Sequence, residues 1–282
     1  MTGGLLVCDK MNFVGGTFSQ SEGVSHVTNV VSWATGPWGM GSMRVSGGSL
    51  YGRTNSGVAV SQTGGLYMLS EGLRVESYYL LHGGTLVAPH ISVWHATLLM
   101  QGNVTNAGSL ELNDHARLSV SGAQNLGVLN IRGSATLDMQ DDGATIWFAG
   151  AAAWPVYGRL IIKNWNGSSS GGGADRVLFG NAASALSASQ TDQITFENPE
   201  GFPAGMYPAK ILASGEVVPD RPLIAVTRVA GSLTLSWRGS ATLYWSTNMA
   251  GPFAPVIPGP TNLYETTSSE AQRFFLLRSG NN

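Results

Sequence analysis

The chain has a single cysteine, Cys8, so no disulfide can form within it. Charge is scarce as well: Asp, Glu, Lys and Arg make up 11% of the 282 residues, and the net charge is −2. Without a basic field there is no electrostatic hold on phosphate, so nucleic acid is not an expected partner. No run of about 20 apolar residues occurs, and no transmembrane segment is expected. The opening residues, Met1 to Val7, lack the basic segment and long apolar stretch of an export signal. Because Gly3-Gly4-Leu5-Leu6 already reads as a repeating unit, the chain is expected to begin inside a larger array or to be a trimmed form of one. A chain this poor in charge keeps its surface wet with hydroxyls, amides and backbone, which suits an exported β-rich protein better than a cytosolic helical one.

What the chain does have is a succession of short apolar triplets between Met43 and Met139. They include Met43-Arg44-Val45, Val58-Ala59-Val60, Leu66-Tyr67-Met68, Leu73-Arg74-Val75, Ile91-Ser92-Val93, Leu110-Glu111-Leu112, Leu118-Ser119-Val120, Leu129-Asn130-Ile131 and Leu137-Asp138-Met139. The order apolar, variable, apolar is that of a strand with one buried face. So short a strand buries almost nothing alone, and copies of it must stack around one narrow core. Glycine pairs such as Gly47-Gly48, Gly64-Gly65 and Gly83-Gly84 precede these strands and read as corners, because glycine reaches the positive φ values that sharp corners need. Strand starts recur about every six to eight residues, so three strands would close one coil of roughly 20 to 25 residues, the period of a parallel β-helix.

Beyond Met139 the strands read as longer and more aromatic: Ala144 to Gly150, Gly158 to Trp165 and Arg176 to Gly180. Ser168 to Gly173, all serine and glycine, reads as a mobile loop. Ser187-Ala188-Ser189-Gln190 fits a capping box, which predicts a short helix from Ala188 to Gln193 ahead of a strand at Ile194-Thr195-Phe196. The cluster Pro219-Asp220-Arg221-Pro222 reads as a linker, and the alternating segments after it as a small β-sandwich. The expected fold is therefore all-β: a right-handed parallel β-helix over residues 1–218, with a capping region from about 144 to 218, then a sandwich over 219–282.

Several stretches together carry a resemblance: Leu160 to Gly167, Gly173 to Gly180, Leu186 through Phe196, and Ile211 to Pro219. In this order they resemble the C-terminal end of bacterial autotransporter-associated β-strand repeat proteins, which are exported parallel β-helices. The tail, with Leu235-Ser236-Trp237, Tyr244 to Asn248, Gly251-Pro252-Phe253 and Gln272 to Arg278, resembles a short fibronectin type III-like module. Together the resemblances cover about the second half of the chain. They imply export and display at a bacterial cell surface, and they supply no catalytic residue.

Four groups of residues suggest chemistry. Asp141 and Asp142 would suit the acid and base of a β-helix glycosidase, yet neither the Asn-Thr-Asp nor the Gly-His-Gly triplet of polygalacturonases occurs, and adjacent aspartates also favour a turn. Trp33, Trp38 and Trp94 would serve as platforms for a polysaccharide, against a plainer expectation for the first two of a loop with buried indoles. His82, His90, His95 and His115 lie close together; the pair His90 and His115, about one coil apart, would share a metal ion. Asn113, Asp114 and Asp138 would stack as oxygen ligands for calcium, although the nonapeptide repeat of calcium solenoids is absent. Thr85, Thr97, Thr105 and Thr136 are too irregular for a flat threonine array, and Cys8 reads as inert.

No motif outweighs the structural reading, so the expected function is non-catalytic: a structural or adhesive rod without cofactors, joined to copies of itself or to other surface proteins through its open N-terminal edge. Polysaccharide binding or cleavage is the alternative.

Overall fold

A computed structural model describes residues 3–13, 16–32, 41–105, 108–140, 143–221, 224–229, 232–237, 241–256, 263–267 and 272–279. Trp33, Trp38, Asp141 and Asp142 lie outside the described residues.

The chain is all-β, and most of it forms one large, mostly parallel sheet system wound coil upon coil. Each coil contributes a long face and a short face. The long face holds Leu5–Phe13, Val24–Ser32, Ser49–Ser56, Leu66–Val75, Ala123–Ile131, Thr145–Ala151 and Arg176–Phe179. In the two middle coils it is broken into Thr85–Val87 with His90–Val93, and Asn103–Thr105 with Ser109–Leu112. Pro89 sits at the first of these breaks, where its missing N–H interrupts the ladder. The short face holds Thr17–Gln20, Ser42–Val45, Ala59–Gln62, Tyr78–Leu81, Thr97–Met100, Arg117–Val120, Ser134–Met139, Arg159–Lys163 and Ile194–Glu197. The expected three strands per coil are thus two faces, two of the triplets being merged along one bent run.

Coil length follows from the register. Met43 sits against Val60 and Leu50 against Tyr67, 17 residues apart in each case. Leu98 sits against Leu118, 20 residues on, and Thr17 against Ser42, 25 residues on. The coil from Met43 to Val60 is therefore tighter than the sequence suggests, while the other two lie within the expected range. Alternation then stacks like on like: Phe18, Met43, Val60, Tyr79, Leu98, Leu118, Leu137, Ile162 and Phe196 form one inward column, one residue from each coil. Each fully buried aliphatic side chain in such a column contributes about 1.5–3 kcal/mol. The stack generates a single continuous core running its length.

The last coil is closed by a hairpin. Met206–Ile211 and Glu216–Pro219 pair antiparallel with each other, with Ile194–Glu197 and with Arg176–Phe179. Ahead of it, the capping helix forms at Ala188–Asp192, with the Gln190 N–H donating to Ser187 Oγ at 3.2 Å and the Ser187 N–H to Gln190 Oε1 at 2.9 Å. The serine and glycine segment is not loose, contrary to expectation. Ser168 N–H donates to the Gly172 carbonyl at 3.1 Å, and Gly172 N–H to the Glu216 carboxylate at 3.0 Å. A buried acid needs donors, and this loop wraps over to supply one.

The C-terminal segment builds two further antiparallel sheets of three strands each. One contains Ala225–Val229, Ser232–Ser236 and Leu263–Thr267; the other Ala241–Ser246, Ala254–Pro255 and Phe274–Ser279. Both contribute to a separate small core of Leu235, Trp237, Leu243 and Val256.

Candidate functional site

The two kinds of corner differ in chemistry. Where the short face passes to the long one, the backbone packs on the coil below, and a Cβ on Gly65 would come within 2.7 Å of the Gly48 carbonyl oxygen. Glutamine locks three of these corners from inside. Gln20 Nε2 donates to the carbonyls of Gly23 and Ser49 at 3.2 and 2.9 Å, and Gln62 Nε2 to those of Gly65 and Thr85 at 3.3 and 3.0 Å. Gln124 Nε2 repeats the pattern on Gly102 and Ser121 at 2.9 and 3.4 Å. The sequence signal was available in Gln20-Ser21-Glu22-Gly23 and Gln62-Thr63-Gly64-Gly65, a glutamine three residues before a glycine.

The other corner, from long face to short, carries Trp94-His95-Ala96, then Asn113-Asp114-His115-Ala116, then Arg132-Gly133 on successive coils. This is where most of the expected metal and sugar ligands fall, and the register sorts them differently from the sequence spacing. His90 stands beside Ser109, its Nδ1 at 2.7 Å from Ser109 Oγ, so its neighbour on the next coil is a serine and not His115. The neighbour of His115 is His95, with ring centroids 5.7 Å apart and planes tilted by 35°. A corner longer by one residue in the second coil moves His115 into line with His95. Asp114 Oδ1 accepts the Ser134 N–H at 3.0 Å, and Asn113 Nδ2 donates to Glu111 Oε1 at 3.1 Å. Asp138 lies apart on the short face, so it does not join Asn113 and Asp114 at this corner. Among the described residues, no group of three or more His, Cys, Asp and Glu side chains converges as metal ligands.

Trp94 is half-buried, and the Arg74 guanidinium covers its ring at 4.7 Å from the centroid. Glu76 holds that guanidinium at 2.6 Å. The only other stacked pair on the outer surface of the long face is His26 on Tyr51, 4.9 Å apart and within 12° of parallel, among the described residues. Here the two rings spend a face on each other. Cys8 is half-buried against the core.

Among the described residues three carboxylates are fully buried, Asp138, Asp175 and Glu216, and none was singled out as such from the sequence. Asp138 accepts from Arg117 Nη2, from Gln140 Nε2 at 2.9 Å and from Asn164 Nδ2 at 2.6 Å. Asp175 accepts the backbone N–H groups of Ala144 and Asn166 at 2.8 and 2.7 Å. Glu216 accepts Arg176 Nη2 at 2.9 Å besides the Gly172 N–H. Each ties together segments far apart in sequence, and each spends its oxygens on protein donors.

Inside the coil, burial raises the pKa of Tyr67, with a smaller opposing effect from nearby Asn55, although neither group has a partner at hydrogen-bond geometry. Burial also pushes Tyr79 well up, with a further contribution from Tyr67. The Tyr79 hydroxyl donates to Gln62 Oε1 at 2.6 Å, which joins the tyrosine to the glutamine corner lock.

Comparison with family models, with curated proteins and with solved structures finds no match to this chain.

Proposed function

We propose that the protein is a non-catalytic structural element: a stiff β-solenoid rod, right-handed as twisted parallel strands favour, that ends in a small β-sandwich. In this reading it works outside a bacterial cell as a spacer or adhesive support. The observation that carries it is the column from Phe18 to Phe196, which runs from coil to coil without a break and commits the interior to packing. Supporting it, the three buried carboxylates are consumed by the cross-links between coils, and Trp94 has a ring face taken by Arg74. The two C-terminal sheets sharing one core are what a sandwich requires.

Association is part of the proposal. Among the described strands, Leu5–Phe13 pairs with Val24–Ser32 alone, so its other edge keeps free backbone donors and acceptors, with Leu5 and Val7 each 68% exposed. An edge of this kind recruits a strand, and a second copy offers the same one. Light scattering across a concentration series is expected to show association in the native chain and its loss in the double variant Leu5→Lys, Val7→Lys. A monomer at every concentration removes the association. Turnover of a polysaccharide by the native chain removes the non-catalytic reading itself.

A further inference from the structure

We propose that His95 and His115 form a two-imidazole clamp for a borderline divalent metal ion of the copper, nickel and zinc class. The two side chains occupy the same corner on consecutive coils, and their ring centroids are 5.7 Å apart. Two imidazoles that share one ion at about 2.0–2.1 Å place their ring centres roughly 5–6 Å apart, so the spacing suits a common ligand. Imidazole is the natural donor for these ions, and water completes the coordination sphere.

Two further observations separate this pair from the other histidines. His82 and His90 are each engaged, by Gln101 at 2.8 Å and by Ser109 at 2.7 Å. Among the described residues, neither ring of the pair makes a hydrogen bond, and both side chains are exposed, so their nitrogens face solvent uncommitted. Both residues also sit in the left-handed backbone region, at φ 48° and 57°, with their amides donating to the carbonyls of Asp114 and Ser134 on the coil above. That shared conformation aims both side chains the same way from the corner. In the following coil the place in register with His115 is taken by Ser134, so the run of imidazoles at this corner ends at two. The Asp114 carboxylate, one residue before His115, adds negative charge beside the pair.

The clamp goes beyond the scaffold reading and stands independently of it. Calorimetric titration of the whole chain with zinc chloride, and separately with copper chloride, tests it, at a mildly alkaline pH because protons compete with the metal for its ligands. The expected result is saturation at one ion per chain. His95→Asn and His115→Asn, whose new side chain tolerates the left-handed backbone, are each expected to weaken binding about tenfold or more, because the second ligand no longer closes intramolecularly. His82→Ala and His90→Ala are expected to bind as the native chain does. Paramagnetic broadening by copper in the native chain should strike the His95 and His115 ring protons first, which keeps the test valid if a variant fails to fold. No saturable binding, full binding by the His95→Asn, His115→Asn double variant, or broadening centred on other residues would each overturn the assignment.

Discussion

Tyr67 and Tyr79 lie wholly inside the coil, and burial holds the proton on both phenols far above the ordinary tyrosine range. The consequence for stability has a definite sign. Below about pH 10 the folded and unfolded chains both keep these protons, and nothing is lost. Above it the unfolded chain ionises while the folded one cannot, so stability falls as pH rises beyond that point. An alkaline titration followed by tyrosinate absorbance is expected to show two of the eight tyrosines ionising only as the chain unfolds. All eight ionising with the circular dichroism unchanged would contradict this. At Asp138 the expectation concerns the donors. Asp138→Ala strands the amides of Gln140 and Asn164 and frees Arg117, and should cost on the order of 2–3 kcal/mol in urea unfolding. A change under about 0.5 kcal/mol would mean that the node holds nothing together.

At the scale of the element, the glycine corners set how closely one coil can follow another. Gly65 has φ +70°, and a Cβ there would meet both Gly47 and Gly48 of the coil below. Gly65→Ala should therefore cost about 2–4 kcal/mol from backbone strain and forced separation together. Gly150→Ala is the control, since nothing lies within 4 Å of its added Cβ and its backbone is not left-handed, so it should be neutral. Equal melting temperatures for the two variants would show that the corners do not limit coil spacing. The glutamine locks belong to the same elements. Gln62 is buried because its amide satisfies two corner carbonyls while its oxygen takes the Tyr79 hydroxyl, an arrangement that hydrophobic patterning alone scores as an error.

For the molecule as a whole, two cores that share no residue predict two unfolding units. The C-terminal core is small, with four buried members among the described residues, so it should melt first, in a separate calorimetric transition from that of the coil. A single transition whose calorimetric and van't Hoff enthalpies agree would refute the separation. Hydrogen exchange should rank the coils too, with the slowest amides on Thr97–Met100 and Arg117–Val120, strands paired on both sides, and faster exchange at the Leu5–Phe13 edge.

The sequence by itself determined the strand period, the corners and the capping helix, because these are local choices. Alternation decides which side chain is buried, glycine decides where the chain turns, and Ser187 with Gln190 closes a helix end over four residues. What only the tertiary structure decided is which residue stands above which. A corner longer or shorter by one residue shifts every later neighbour, and so His115 meets His95 while His90 meets Ser109. The same holds for Asp138, Asp175 and Glu216, whose burial depends on donors 21 to 44 residues away, such as Arg117, Ala144 and Gly172, that no local pattern connects to them. Stacking makes contacts between coils, and the separation across a coil is set by loop lengths whose sum, not whose composition, fixes the register.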